Sequence, residues 1–206
     1  MNKDLVQHIE ANIFPLYDQV DPAHDIRHIQ TVIENSLRIA KHYDVDEDMV
    51  YCIACYHDAG IRHGRENHEK TSAEVLRNDV ALKRFFSDEQ IRLMAEAVED
   101  HRASSDHEPR SIYGRIVAEA DRDIDPERII RRSVDYTLAH HPEASKEEIR
   151  SIVLFHLEDK YGRKGYLKLY LHDERNEAGL ETLRVMIETQ EAASRIDQLL
   201  NINPAR

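Results

Sequence analysis

Apolar residues in this chain recur at three- and four-residue steps, the period of a helix buried along one side. The clearest run is DPAHDIRHIQTVIENSLRIAKHY, where Ile29, Val32, Ile33, Ser36, Leu37, Ala40 and Tyr43 share one stripe. Lys3 to about Phe14 makes a short amphipathic segment that Pro15 ends. Asp46 can cap a helix that runs through Met49, Val50, Ile53 and Ala54 and stops at Gly60. After the polar loop IRHGREN, a short helix is expected from about His68 to Asn78. Ser87 to Gln90 reads as a capping box opening a helix with Ile91, Met94, Ala95 and Val98. Ile112, Ile116, Val117 and Ala120 mark another, after the loop ASSDHEPR. Pro126 stands where a first-turn proline starts a helix, and His140, His141 and Pro142 break it. Ser145 to Glu148 is a second capping box, whose helix reaches about Asp159. KYGRKGY is a turn, and a last helix is expected from about Asn176 to Leu200.

No strand pattern competes with these helices. Glycine and proline number only 6 each, too few for the many tight turns of an all-β fold. No repeat or linker divides the chain. The expectation is one all-α domain over 1–206, its motif region at about 21–125 and its helices of about 126–206 packed on that region. No stretch approaches the ~20 apolar residues of a membrane span. The opening MNKDLVQHIEANIF carries charges where a secretory leader keeps its apolar region, so a cytoplasmic protein is expected. Lys and Arg total 28 against 40 Asp and Glu, a formal charge of −12. That balance argues against a general grip on duplex nucleic acid. It leaves room for a small phosphorylated ligand, because a bound divalent cation dominates the field of its own site. Cys52 and Cys55 spell C-x-x-C inside an apolar helical run with no second pair for zinc, and read as buried core thiols.

The chemistry lies in polar residues on apolar faces. The chain holds 13 histidines, as many as its 4 Phe and 9 Tyr together, so the question is which of them face inward. His57 follows Ile53 by four, and Asp58 follows Ala54 by four. Both leave the apolar sector of one helix near its C-terminal end. Asp121 follows Val117 by four, and His28 precedes Val32 by four at the start of its helix. A buried carboxylate must be paired, hydrogen-bonded or metal-bound. A lone inward His is as a rule a hydrogen-bonded core residue, and a lone Asp meets an Arg or a helix N-terminus. Three helices that aim two histidines and two aspartates inward would also form a mixed N/O set suited to Mn, Fe, Co, Ni or Zn, and spacing alone leaves both readings open.

His28 in HDIRHIQTV, the doublet His57-Asp58 in ACYHDAG and Asp121 in AEADRDID resemble the H…HD…D signature of the HD superfamily of metal-dependent phosphohydrolases. The resemblance runs from about Asp21 to Asp125, and His24-Asp25 is a second HD dipeptide within it. It implies an all-α HD-domain bundle in a soluble single-domain member. It implies metal ligation by His28, His57, Asp58 and Asp121, and hydrolysis of a phosphate ester in a nucleotide or another small phosphorylated metabolite. His68 and His101 also follow the apolar sectors of their helices. Second-metal ligands, substrate contacts and ordinary core or surface histidines are all open readings for them. Arg62, Arg65, Arg102 and Arg122 are candidates to hold phosphate, because guanidinium binds it bidentately. Lys160, Arg163 and Lys164 read as a charged turn. The ASSDHEPR loop and Asp125 are candidates for substrate selection and proton transfer. Asp58 is the expected catalytic carboxylate, orienting or deprotonating a metal-activated water. Two other classes stay open: a di-iron HD-type oxygenase, completed by His68 and His101, and a non-catalytic metal- or ligand-binding module. No Walker A pattern, G-x-S-x-G or Rossmann fingerprint is present.

Overall fold

The computed structural model describes residues 1–18 and 25–202, and it is all-α: ten α-helices and no strand among those residues. The chain divides into two compact units, Met1–Asp123 and Ile124–Arg206. No helix among the described residues is long and apolar enough to cross a membrane.

The first unit contains α1 (Lys3–Asn12), α2 (Ile26–Ala40), α3 (Glu47–Tyr56), α4 (His68–Asn78), α5 (Asp88–Glu99) and α6 (Ile112–Arg122). Single 3-10 turns lie at Phe14–Tyr17, Ile61–His63 and Val80–Arg84. Helix α3 is the axis of this unit, because α1, α2, α4, α5 and α6 all pack on it. Its surroundings explain its composition: every residue from Met49 to Gly60 is buried, including both cysteines. Cys52 and Cys55 are free thiols that burial pushes well above the ordinary range, so they stay protonated core groups.

Helix starts follow the caps legible in the sequence. The Asp46 carboxylate accepts from the N–H groups of Asp48 and Met49, and Ser87 and Gln90 form a reciprocal capping box. The ends differ more. Helix α3 closes at Tyr56, four residues before Gly60. Gly60 has φ −86°, which any residue adopts, so conformation does not require a glycine there. Space does: its N–H donates to Ser72 Oγ at 2.9 Å, and a Cβ would come well inside 3.0 Å of the Ser72 nitrogen and the Thr71 hydroxyl. The glycine lets the N-terminal part of α4 lie against the turn that follows α3.

The second unit contains α7 (Pro126–His140), α8 (Lys146–Tyr161), α9 (Glu174–Glu188) and α10 (Glu191–Ile202), each packed on the other three. The single last helix expected from Asn176 to Leu200 is two helices. The chain breaks at Gln190, which has φ 66°. That left-handed residue lets α10 fold back onto α7 and α8, and neither glycine nor proline announces it. Asp125 caps α7 by accepting from the Arg128 N–H at 2.8 Å. Arg163 of the charged turn is bound by Glu181 and Glu188. His140 ends α7, His141 caps it, and both are exposed.

Gly60→Ala is expected to destabilise the fold by about 1–3 kcal/mol, the usual cost of overpacking. Urea unfolding beside the parent protein measures it, and the loss should come from the midpoint rather than the slope.

Candidate metal centre

The HD doublet sits where α3 stops. In the last turn of a helix the carbonyls lose their backbone donors. Here other groups take them: Ala54 O accepts from His57 Nδ1 at 2.7 Å, Cys55 O from the Tyr17 hydroxyl at 2.7 Å, and Tyr56 O from the Ala59 N–H at 3.0 Å. Consecutive helical side chains diverge by ~100°. His57 is the C-cap of α3 and keeps helical φ and ψ of −54° and −36°, yet the two side chains converge, and His57 Nε2 comes within 3.4 Å of Asp58 Oδ2. The doublet thus lies one and two residues past the end of the helix rather than on it.

The structure brings the four expected ligands together. His28 is in the first turn of α2, where the Asp25 carboxylate caps the helix by accepting from the Arg27 and His28 N–H groups. His28 Nε2 lies 3.4 Å from His57 Nε2, 3.8 Å from Asp58 Oδ2 and 3.1 Å from Asp121 Oδ1. His57 Nε2 lies 3.8 Å from the same Asp121 oxygen, near the end of α6. Ligands ~2.1 Å from one ion are ~3.0 Å apart along an octahedral edge and ~3.4 Å apart along a tetrahedral one. The separations, 3.1–3.8 Å, lie at or slightly above those values, and the donor chemistry suits a transition metal.

His68 and His101 belong to the same cluster. His68 opens α4 and His101 follows α5, and their Nε2 atoms are 3.2 Å apart. Asp58 Oδ1 faces both, at 3.3 Å and 3.6 Å. That oxygen is buried and receives no well-directed hydrogen bond. Two three-residue groups can therefore hold a metal ion, His28–His57–Asp58 and Asp58–His68–His101, and they share one carboxylate.

One device orients three of the imidazoles. His57, His68 and His101 each place Nδ1 on the carbonyl three residues earlier: Ala54 at 2.7 Å, Arg65 at 3.0 Å and Val98 at 2.6 Å. A carbonyl only accepts, so Nδ1 carries the proton and donates it. In the neutral ring Nε2 is then a bare lone pair. The Nε2 atoms of His68 and His101, 3.2 Å apart, can share a proton between them or turn their lone pairs to a cation.

Charge acts in the same direction. Burial alone would raise the Asp58 and Asp121 carboxyls. The imidazoles around them, His57, His68 and His101 for Asp58 and His28 and His57 for Asp121, hold both well below the ordinary range. Burial alone would lower His57, but Asp58 and Asp121 push it up to about 9. In His68, Asp58 again outweighs burial and raises the ring. The carboxylates of Asp58, buried, and Asp121, partly exposed, together attract cations, whether protons or metal.

The arginines are dispersed. Arg62 and Arg65 are exposed on the loop after the doublet, and Arg122 turns back to donate to Ala118 O of its own helix. Arg102, half exposed, donates through Nη1 to Glu69 at 3.2 Å. The ASSDHEPR loop is closed at its base, where Asp100 accepts from the Arg110 backbone N–H at 2.7 Å and its Nε at 3.0 Å. Three supporting residues escape the sequence reading. Asp25 had a signal, an acid three before His28 at a helix start. Glu69 follows His68 but carries no mark of its own. Tyr17 lies 38 positions from the carbonyl it caps, so nothing local reveals it.

Burial keeps the Tyr17 hydroxyl protonated, so it remains a donor. Tyr17→Phe leaves the buried Cys55 carbonyl without a partner. It is expected to cost about 1–3 kcal/mol, read as a lowered unfolding midpoint with helical circular dichroism retained.

Comparison with known proteins agrees with this geometry. The HD domain family model matches residues 25–124. A search of curated proteins gives no match. A solved structure of a predicted HD superfamily hydrolase from an uncultured Thermotogales bacterium is similar, with a TM-score of 0.53 and 19% identity. The alignment covers 90% of this chain and 92% of that one, and at such identity the likeness is one of fold. The histidines and aspartates of the centre all fall inside the stretch that is similar to the HD domain family.

Proposed function

We propose that this chain is a metal-dependent phosphohydrolase acting on a phosphate ester of a nucleotide or another small phosphorylated metabolite. The observation that carries the reading is the carboxylate of Asp58, with one oxygen toward His28 and His57 and the other toward His68 and His101. His28, His57, Asp58 and Asp121 would hold a first divalent ion, and Asp58, His68 and His101 a second. Bound metal supplies a water of lowered pKa and a Lewis acid for a phosphoryl oxygen. The protein does the rest. Backbone carbonyls fix the rings of His57, His68 and His101, so the site is set before substrate arrives. In a one-ion enzyme Asp58 Oδ1 is the acceptor for the water's proton, with His68 3.3 Å away to share it. In a two-ion enzyme that oxygen is a ligand. Arg102 is the best-placed cation for the substrate phosphate, directly after His101 and half exposed, with Arg65, Arg62 and Arg122 behind it. The formal charge of −12 favours a small substrate over long nucleic acid. A cytoplasmic setting fits the free thiols.

The facing His68–His101 pair also favours a second reading, a di-iron oxygenase. Elemental analysis of the purified protein separates the two. The expected result is one or two divalent ions per chain, lost in His57→Ala, with turnover on a phosphoester panel under Mn, Co, Ni, Fe or Zn. Two irons with a ferric absorption band and no phosphoester turnover would support the oxygenase. Asp58→Ala is expected to abolish both metal retention and hydrolysis. Full activity in a folded, metal-checked Asp58→Ala protein would sink the mechanism.

A further inference from the structure

His68 and His101 are each followed by a charged residue, and the two charges meet. Glu69 Oε2 lies 3.2 Å from Arg102 Nη1, while the imidazoles one position earlier face each other at 3.2 Å. The start of α4 and the segment after α5 thus meet twice, once through an ion pair and once through two facing imidazoles. Glu69 is largely buried, its side chain only 12% exposed, and its carboxylate is 3.7 Å from His68 Nδ1. The ion pair thus ties together, one residue further along, the same two segments that carry the facing imidazoles.

We propose that the Glu69–Arg102 ion pair is a positioning clamp that sets the His68–His101 spacing and thereby the affinity of the second metal position. The inference rests on the two-ion reading of the centre. The competing view is an ordinary surface pair, of little consequence. The molecule contains its own control. Arg77 and Glu99 form an ion pair at 2.6 Å between the same two helices, α4 and α5, and involve neither histidine. A general effect on helix packing would appear in both pairs. A clamp on the histidines belongs to Glu69 and Arg102 alone.

The test is calorimetric titration of the metal-stripped full-length chain with Mn(II). The parent is expected to take two equivalents. Glu69→Gln and Arg102→Gln are each expected to weaken the second equivalent about tenfold and leave the first unchanged, as loss of an outer-sphere partner does. The double variant should be no weaker than either single one, because both remove the same interaction. Arg77→Gln should titrate like the parent. A second equivalent of parental affinity in Glu69→Gln and Arg102→Gln would overturn the clamp. So would equal weakening of both equivalents, or the same loss in Arg77→Gln. A parent that takes a single equivalent would overturn the two-ion reading itself, and the clamp with it.

Discussion

Asp58 is a carboxylate with 2% of its surface exposed, surrounded by imidazoles, and the rest of the centre follows from the cost of burying it. An ionised carboxylate in a protein interior must be compensated by positive charge or by hydrogen bonds to both oxygens. Backbone donors are not what this site offers. Its nearest neighbours are ring nitrogens, His28 and His57 on one side and His68 and His101 on the other. Protons on those rings can supply the charge, as the raised His57 and His68 indicate, and a divalent cation supplies it without a bound proton. The same groups thus make a metal-free pocket tolerable and a metal-bound one favourable.

Helix ends deliver these groups. His28 and His68 start helices, Asp121 stands near the end of one, and His57, Asp58 and His101 lie just past two more. A helix terminus exposes unpaired carbonyls or N–H groups, and these serve as local partners. The ring-to-carbonyl bond three residues back recurs at His57, His68 and His101, to carbonyls in the last turns of α3 and α5 and in the loop before α4. Mid-helix histidines would find their carbonyls already bonded, and their rings would keep rotational freedom. Helix α3 makes the arrangement possible. Five neighbouring helices surround it, so its end lies inside the protein rather than at the surface, and a doublet there is desolvated.

Much of this was readable from local chemistry. Asp46, Ser87 and Ser145 cap helices because a short side-chain oxygen beside an apolar period is a strong local signal. The span of α4, His68–Asn78, follows directly from its period. Cys52 and Cys55 are core thiols, as their apolar setting requires. The misreadings share a cause. Gly60 suggested a helix stop, yet it is a glycine because α4 approaches it closely, a demand made by a distant segment. Gln190 breaks the last helix in a left-handed conformation that its residue type does not advertise.

The sequence by itself determined that the chain is helical, where most of its helices begin, and that His28, His57, Asp58 and Asp121 face inward. Period, caps and residue type are local properties, and each acts within a turn or two of chain. Tertiary structure decided the rest. It put Tyr17 under the end of α3 and set Glu69 against Arg102. It also gave Asp58 two sets of imidazoles rather than one. These pairings join residues 33 to 38 positions apart through rigid helices. Their separations depend on packing angles that no local pattern encodes.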